Sequence, residues 1–444
     1  MALSEIVNVS IQAGTVNPAR RGFGVPLLLM FHDAWDTDEV REYTTFSSVA
    51  ADFAADDLDQ GVVYLAAAVM FSQDPRPSSI KIGRLPTPGS GQITTIDAND
   101  MATGATIEGA IVGPDGTATS LSVAWNSDLA TTLADLQTAI SAISGLTCGA
   151  PSGGVVAVTA DTAGRMFFYS FTTEGVDVRD TTADWDYDDR LTALLAIDPN
   201  FYAVIVDNNS PKNMDKVARW ALANDRMCGF GPQYTKPSQF VTGEFTSGAD
   251  YTALMANDAA WGLFTAEPRS TFKECAWFAN MLPRDPGSAT WAYKTLDGIG
   301  ADTWTPTERL LIEGTAHKAN HYAAEATIGI TRPGKMFGGE WIDVVRGLAW
   351  LQARLEERLF AALVNNPKIP YTDAGFTILV SEVSAQLQEA EDRGVLDSGW
   401  SVTITSVAEQ ATADRAARIV RGLDFSARLA GAVHTINIAG TVSV

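Results

Sequence analysis

The chain has 444 residues, 46% of them apolar and 19% charged, which is enough apolar content for a buried core and excludes a disordered chain. Lys plus Arg number 31 against 53 Asp plus Glu, a net charge of −22, which argues against coating DNA or RNA and against docking on an anionic membrane. It suits a soluble chain held at high local concentration, and it fits many cytosolic enzymes too.

At about 150 residues per domain, the length suggests two to four domains. The opening MALSEIVNVS has no basic n-region and no apolar h-region, so no secretory signal is expected. The longest apolar run, Gly61 to Phe71, is too short for a bilayer, which needs about 20 residues. Cys148, Cys228 and Cys275 are far apart and form no CxxC. Reduced thiols in a protein made in a cytoplasm are expected, with a bridge to a neighbouring subunit as the sharper alternative.

In chain order, four zones differ. In the first, Val7, Val9 and Ile11 alternate with Asn8 and Ser10, the period of a strand, before Gly14, Asn17 and Pro18 break it. This strand has no local partner, so it pairs either with a distant sheet of its own chain or with another chain. The second zone, 23–85 and 172–265, alternates strands and helices. Val25 to Phe31 reads as a buried strand, Ser47 to Phe71 as helical stretches and Ser79 to Gly83 as a short strand. Phe201 to Val206 is a continuous apolar run, as in a central parallel strand. Pro211 to Asn224 is an amphipathic helix with Met214, Val217, Ala218 and Leu222 on one face, and Met227 to Phe230 is the next strand. This rhythm predicts an α/β layer.

The third zone, 86–171, opens on PTPGSG, is rich in Thr, Ser, Gly and Ala, and has Arg165 as its one basic residue. Ile93 to Ile96, Ala110 to Val112, Leu121 to Trp125, Val155 to Thr159 and Met166 to Phe171 read as short strands around one helix, Asp128 to Ile143. We read it as a small β-rich domain inserted into the α/β domain. In the fourth zone, 266–444, Trp341 through Leu359 repeats at helical spacing and the helix ends before Pro367. Thr372 or Asp373 caps the next helix, and Arg393 with Gly394 closes it. Trp400 to Val407 and Ile419 to Leu429 read as strands. In the closing AVHTINIAGTVSV, Ile436, Ile438, Val442 and Val444 share one strand face.

Enzymatic motifs are weak throughout. Gly329 to Met336 has GxxxxGK spacing, but Met336 stands where a P-loop needs Ser or Thr, Pro333 removes a donor, and the preceding Ile312 to Ala326 reads as helix. On that helix His317, His321 and Glu325 would share a face, but HKANH lacks the Glu of HExxH. There is no GxSxG elbow, and Gly22-Phe23-Gly24 lacks the third glycine of a dinucleotide fingerprint. Asp184, Asp186, Asp188 and Asp189 lack the order of a calcium loop. No cofactor or metal is expected. Arg354 and Arg358 lie one turn apart with Glu356 and Glu357 between: a solvated face, or a charged stripe meeting an acidic partner. An α/β hydrolase or nucleotide enzyme with an inserted lid is the alternative from the enzyme class.

The run GGEWIDVVRGLAWLQARLEERLFAALVNNPKIPYTDAG (Gly338 to Gly375) resembles the C-terminal domain of sheath proteins from contractile phage tails. The closing LAGAVHTINIAGTVSV and the opening strand before RGFG are similar to that family as well. The resemblance covers zones one, two and four. It implies a non-enzymatic virion subunit, assembled in a host cytoplasm, of mixed α/β and α+β multidomain fold. The implied division is an N-terminal arm strand at 1–22, an α/β domain at 23–85 and 172–265, an inserted outer domain at 86–171, a C-terminal core at 266–430 and an arm strand at 431–444. It also implies that arms of neighbouring subunits complete the C-terminal sheet, through Val7, Val9 and Ile11 and through Ile436, Ile438 and Val442. The implied partners are copies of the chain in stacked hexameric rings, a tail tube protein, and baseplate and tail terminator proteins, with no nucleic acid and no membrane insertion. Helix 340–364, with Arg354 and Arg358, is the candidate tube-facing element. A bacterial contractile injection sheath is a related alternative.

Overall fold

The computed structural model describes residues 22–57, 60–183, 185–231, 253–265, 271–314 and 318–434. The chain separates into two units, which are described in turn: a body of Gly22–Arg346 with the segment from Ala432 onward, and a C-terminal unit that includes Gly347–Gly431.

The body is built on an eight-stranded sheet. Its strands are β1 (Pro26–Phe31), β2 (Val40–Tyr43), β3 (Ile80–Leu85), β11 (Ala203–Val206), β12 (Met227–Phe230), β13 (Ala260–Phe264), β14 (Asn320–Glu325) and β15 (Ile328–Arg332), and their order is β15-β14-β13-β12-β11-β1-β3-β2. The six inner strands run parallel, with Leu28 beside Ile205 and Cys228 beside Ala260, and β2 and β15 close the two edges antiparallel. PLLLMF and AVIV are buried almost throughout, because a parallel sheet is covered on both faces and selects continuous apolar runs.

The strand period divides the cover. Leu27, Leu29, Val204, Val206, Cys228 and Phe230 share one core with Met214, Val217 and Trp220 of helix α5 (Pro211–Ala223) and Leu191 and Leu194 of α4 (Tyr187–Ile197). On the other face, the Trp261 ring packs 4.7 Å from Trp277 and 4.6 Å from Phe278 of α6 (Lys273–Met281). Gly229 is fixed by that contact, since a Cβ there would lie 2.4 Å from Phe278. Helices α1 (Phe46–Asp52) and α2 (Gly61–Phe71) follow β2, and α2 packs against α6. Leu222, expected on the buried face of α5, is 56% exposed.

Between β3 and α4 the chain forms two small antiparallel sheets. One has the order β10-β4-β8-β7 (Asp177–Asp180, Ile93–Asp97, Val155–Ala160, Leu146–Cys148) and the other β6-β5-β9 (Ala118–Val123, Ile107–Val112, Phe168–Phe171). Helix α3 (Leu129–Ser141), capped by the Asp128 carboxylate on the Thr131 amide at 2.8 Å, brings Leu133, Leu136 and Ile140 into a core of their own with Ile96, Ile111, Val156 and Val158. Strand β10 pairs with β4, so the small-sheet region continues past 171 to Asp180.

Two further expectations change. Ile312 to Ala326 is not one helix: α7 (Pro306–Glu313) ends at Gly314, and β14 begins at Asn320. Gly314 was the stop signal, and pairing of Leu263 and Phe264 with Asn320 and His321 overrides the helical spacing beyond it. Strands β14 and β15 therefore belong to the large sheet, well beyond the expected boundary at 265. Among the described residues no helix is long and apolar enough to cross a membrane.

Candidate assembly surface

The C-terminal unit begins inside helix α8 (Ile342–Asn365), which turns through Pro367 and Pro370 into α9 (Asp373–Asp392). Thr372 caps α9 on the Gly375 amide at 3.2 Å. A Cβ on Gly375 would lie 2.0 Å from the Pro370 carbonyl oxygen, so only glycine lets the loop close this tightly. Gly394, at φ 74°, follows the last turn, where the Arg393 guanidinium lies 5.5 Å from the Trp350 ring centroid. Gln386, Leu387 and Ala390 of α9 are buried, while Trp350, Leu351, Ala353 and Ala362 supply the buried side of α8.

Arg358 joins the helices: its Nε donates to Gln386 Oε1 at 2.7 Å and its terminal nitrogen to Glu389 Oε2 at 2.8 Å. Arg354 pairs with Glu357 on its own helix. At these two positions the guanidinium groups therefore form ion pairs within the hairpin. Two long helices with facing Arg and Glu satisfy these charges locally before any partner arrives.

After α9 come β16 (Ser401–Ile404) and β17 (Leu423–Ser426), an antiparallel pair in which Val402 faces Phe425 and Ile404 faces Leu423. A bridge between Leu396 and Leu429 prolongs it. The crossing between the strands holds α10 (Thr412–Ala417) and is closed by buried Gln410. The Gln410 amide donates to Thr405 O at 3.1 Å and to Arg421 O at 2.8 Å, and its oxygen accepts from the Arg421 amide. Gly422, at φ 69°, lies where a Cβ would strike Thr405.

The resulting sheet is small. Among the described residues it has two strands, and none of its eight residues is buried. A lone two-stranded ladder is marginal in water and normally needs a third strand or a covered face. Phe425 is 45% exposed, and Ile419 and Leu429 are exposed beside it in sequence. Phe360, Leu363 and Val364, spaced as one helical face, are exposed at the end of α8. Exposed strand edges and apolar side chains of this kind mark binding surfaces.

The expected arm residues Val7, Val9, Ile11, Ile436, Ile438 and Val442 lie outside the described residues. So do His317 and Asp184. His321 is buried in β14, not on a helix, with Nε2 2.8 Å from Glu313 Oε1. The Glu313 carboxyl is held below its ordinary range: burial pushes it up, but the His321 ring and the Arg332 and Arg309 charges outweigh that. Among the described residues no group of three His, Cys, Asp or Glu is placed to hold a metal ion. The GxxxxGK run lies on β15 and the turn after it, preceded by a strand and not by a helix. Its Gly334 and Lys335 amides both donate to Asn320 Oδ1 at 2.8 Å, and the Lys335 ammonium sits 4.7 Å from the Trp341 ring centroid, so neither is free for a phosphate. Asp188 and Asp189 sit in the first turn of α4, where acidic residues suit the helix dipole. Cys148, Cys228 and Cys275 are free and buried, and burial pushes the Cys228 thiol well up.

Several polar residues gave no signal in the sequence. Arg346 is buried and donates to the carbonyls of Phe23, Met281 and Leu282. It caps the end of α6 and ties β1's lead-in to it, and burial lowers its guanidinium to about 10. Gln410 and His434 are the others. A lone Arg, Gln or His carries no periodicity, so only its surroundings reveal its work.

A family model described as "E217 tail sheath protein gp31-like, C-terminal domain" matches residues 342–400, which span α8 and α9 and end at β16. Comparison with curated protein sequences gives no match. Among solved structures, the helical sheath of the anti-feeding prophage in its contracted state is similar with a TM-score of 0.56 at 9% identity, over 98% of each chain. A chain from the baseplate of the same particle scores 0.56 at 9% identity, over 99% of each chain. The contracted sheath complex of PVC, an extracellular contractile injection system, scores 0.53 at 10% identity over 99% of this chain and 97% of that one. Residues 342–400 thus match a tail sheath C-terminal domain, and the chain as a whole shares the mixed α/β multidomain fold of these solved sheath structures.

Proposed function

We propose that this chain is the structural subunit of a contractile phage tail sheath, which polymerises in stacked rings around a tail tube and contracts to drive the tube through a host envelope. One observation carries the reading: the tail sheath C-terminal domain leads directly into a two-stranded sheet with no buried residue. Such a sheet is a template for strands supplied by other copies. The N-terminal arm with Val7, Val9 and Ile11, and the C-terminal arm with Ile436, Ile438 and Val442, have the alternation to fill it. Backbone hydrogen bonds then join copies whatever the angle between their bodies, so the lattice stays connected while the bodies move.

In this reading the extended sheath is metastable, and new contacts in the compact state drive contraction without hydrolysis. The small-sheet region forms the outer surface. Helix α8 faces the tube, and with Arg354 and Arg358 engaged in the hairpin, its exposed Gln352 and Glu356 make a polar contact weak enough to release. The remaining partners are a tube protein, a baseplate and a terminator, and the particle assembles in a host cytoplasm. A contractile injection system is the second reading, favoured by the shared fold with the anti-feeding prophage and PVC sheaths. The genes beside this one separate the two. The test is negative-stain microscopy of the full chain and of a chain lacking residues 435–444. Tubes from the first and none from the second are expected; a full chain that stays monomeric at high concentration would refute the sheath reading.

A further inference from the structure

We infer that His434 is the anchor that fixes the point at which the C-terminal arm leaves its own subunit. This rests on the sheath reading above and adds to it the body residues that would carry the arm's load.

The chain re-enters the body at Ala432, and Val433 is 77% exposed, so nothing apolar holds the segment there. At His434 three separate contacts form at once. Its ring meets Trp341 edge to face at 4.3 Å, its Nε2 lies 2.9 Å from Thr290 Oγ1, and its carbonyl oxygen accepts from the Tyr293 hydroxyl at 2.6 Å. Each of the three partners is itself fixed. Trp341 carries the Lys335 ammonium on its ring and bridges to Lys335 through its backbone. Thr290 Oγ1 accepts from the Ala292 amide. Tyr293 is a bulky residue at φ 60°, a conformation that persists only where the surroundings enforce it, and its amide donates to Thr331 O of β15.

The strained Tyr293 backbone aims its hydroxyl at a main-chain oxygen, so the clamp grips both the ring and the backbone of one residue. The sequence beyond it is the alternating TINIAGTVSV. A strand paired to a neighbour transmits force only if its near end is held. Without the clamp, the free tether would extend back through Gly431, at φ 48°, and a longer tether lowers the effective concentration of the arm at its partner.

The experiment uses the full chain and measures the protein concentration at which tubes first appear. His434→Ala should raise it about tenfold, with a thermal midpoint close to that of the parent, and Tyr293→Phe, which removes one donor, should raise it about threefold. The phenylalanine variant keeps the test valid if the alanine variant misfolds. A threshold within twofold of the parent for both variants overturns the anchor while leaving the sheath reading intact. A parent chain that forms no tubes overturns the sheath reading, and the anchor with it.

Discussion

The large sheet of the body and the small sheet of the C-terminal unit differ in how far the chain itself covers them. In the body, the inner strands of the large sheet are covered by the chain's own helices, and large aromatic residues such as Trp261, Trp277 and Trp291 lie fully inside. In the C-terminal unit, two strands carry no buried residue, and apolar side chains such as Phe425 face solvent. One sheet is covered by folding; in the reading proposed above, the other is completed by association. Substitutions should therefore split into those that unfold the subunit and those that spare it but affect assembly.

The largest effect is expected in the body. The Lys273 ammonium donates to Asp302 at 2.7 Å, and both side chains are nearly inaccessible. Lys273→Met leaves a carboxylate buried without its cation and should cost about 3–5 kcal/mol in urea unfolding. A loss under about 1 kcal/mol would show that the body tolerates an unfinished interior as well as the C-terminal unit does.

Acid should act next, through His32. Its ring is buried among Trp35 and Phe53, and burial, helped by the Arg84 charge, pushes it down to about 3. Among the described residues neither ring nitrogen has a hydrogen-bond partner. The folded state thus takes up its proton later than the unfolded state, whose histidine titrates near 6.5. Stability from neutral His32 is complete above that value and declines as pH falls toward 3. Between pH 7 and 4.5 the loss should be about 2–3 kcal/mol, and His32→Leu should remove that part of the slope.

Within the C-terminal unit, Gln410→Ala removes bonds to two carbonyls and one amide and should cost about 1–3 kcal/mol. Hydrogen exchange should localise the opening to 405–422 and leave the body protected. The smallest effect on folding belongs to Phe425→Ser, within about 0.5 kcal/mol, because the ring is already wet. The same substitution should impair tube formation. Unimpaired tubes would mean that this face of the sheet meets no partner.

The body was legible because its elements announce themselves. FYAVIV can only be an inner strand or a buried helix, and Ser210 before Pro211 starts a helix whose Met214, Val217 and Ala218 align. Gly394 ended α9 where its type predicts. The failures share a cause. HYAAE has no strand alternation, because β14 pairs with β13 inside the sheet and its register is set by a partner 57 residues away at Leu263 and Asn320. The pairing of Arg358 with Glu389 was not readable either, because spacing shows which residues share a face, not what lies opposite it. Gln410 and Arg346 act on backbone groups, and His434 on residues about 90 to 145 positions away, neither of which a sequence displays.

The small-sheet region leaves and rejoins the body at one spot. Its entry follows β3, its exit precedes α4, and Arg190 of α4 donates to the carbonyl of Arg84 at the end of β3 while pairing with Glu39. That stitch holds the two ends together independently of whatever chain runs between them. The locus is therefore the place to graft a foreign module with closely spaced termini, at the cost of the Asn208–Asp180 hydrogen bond and the packing of Met166 on the large core that replacing residues 88–182 removes.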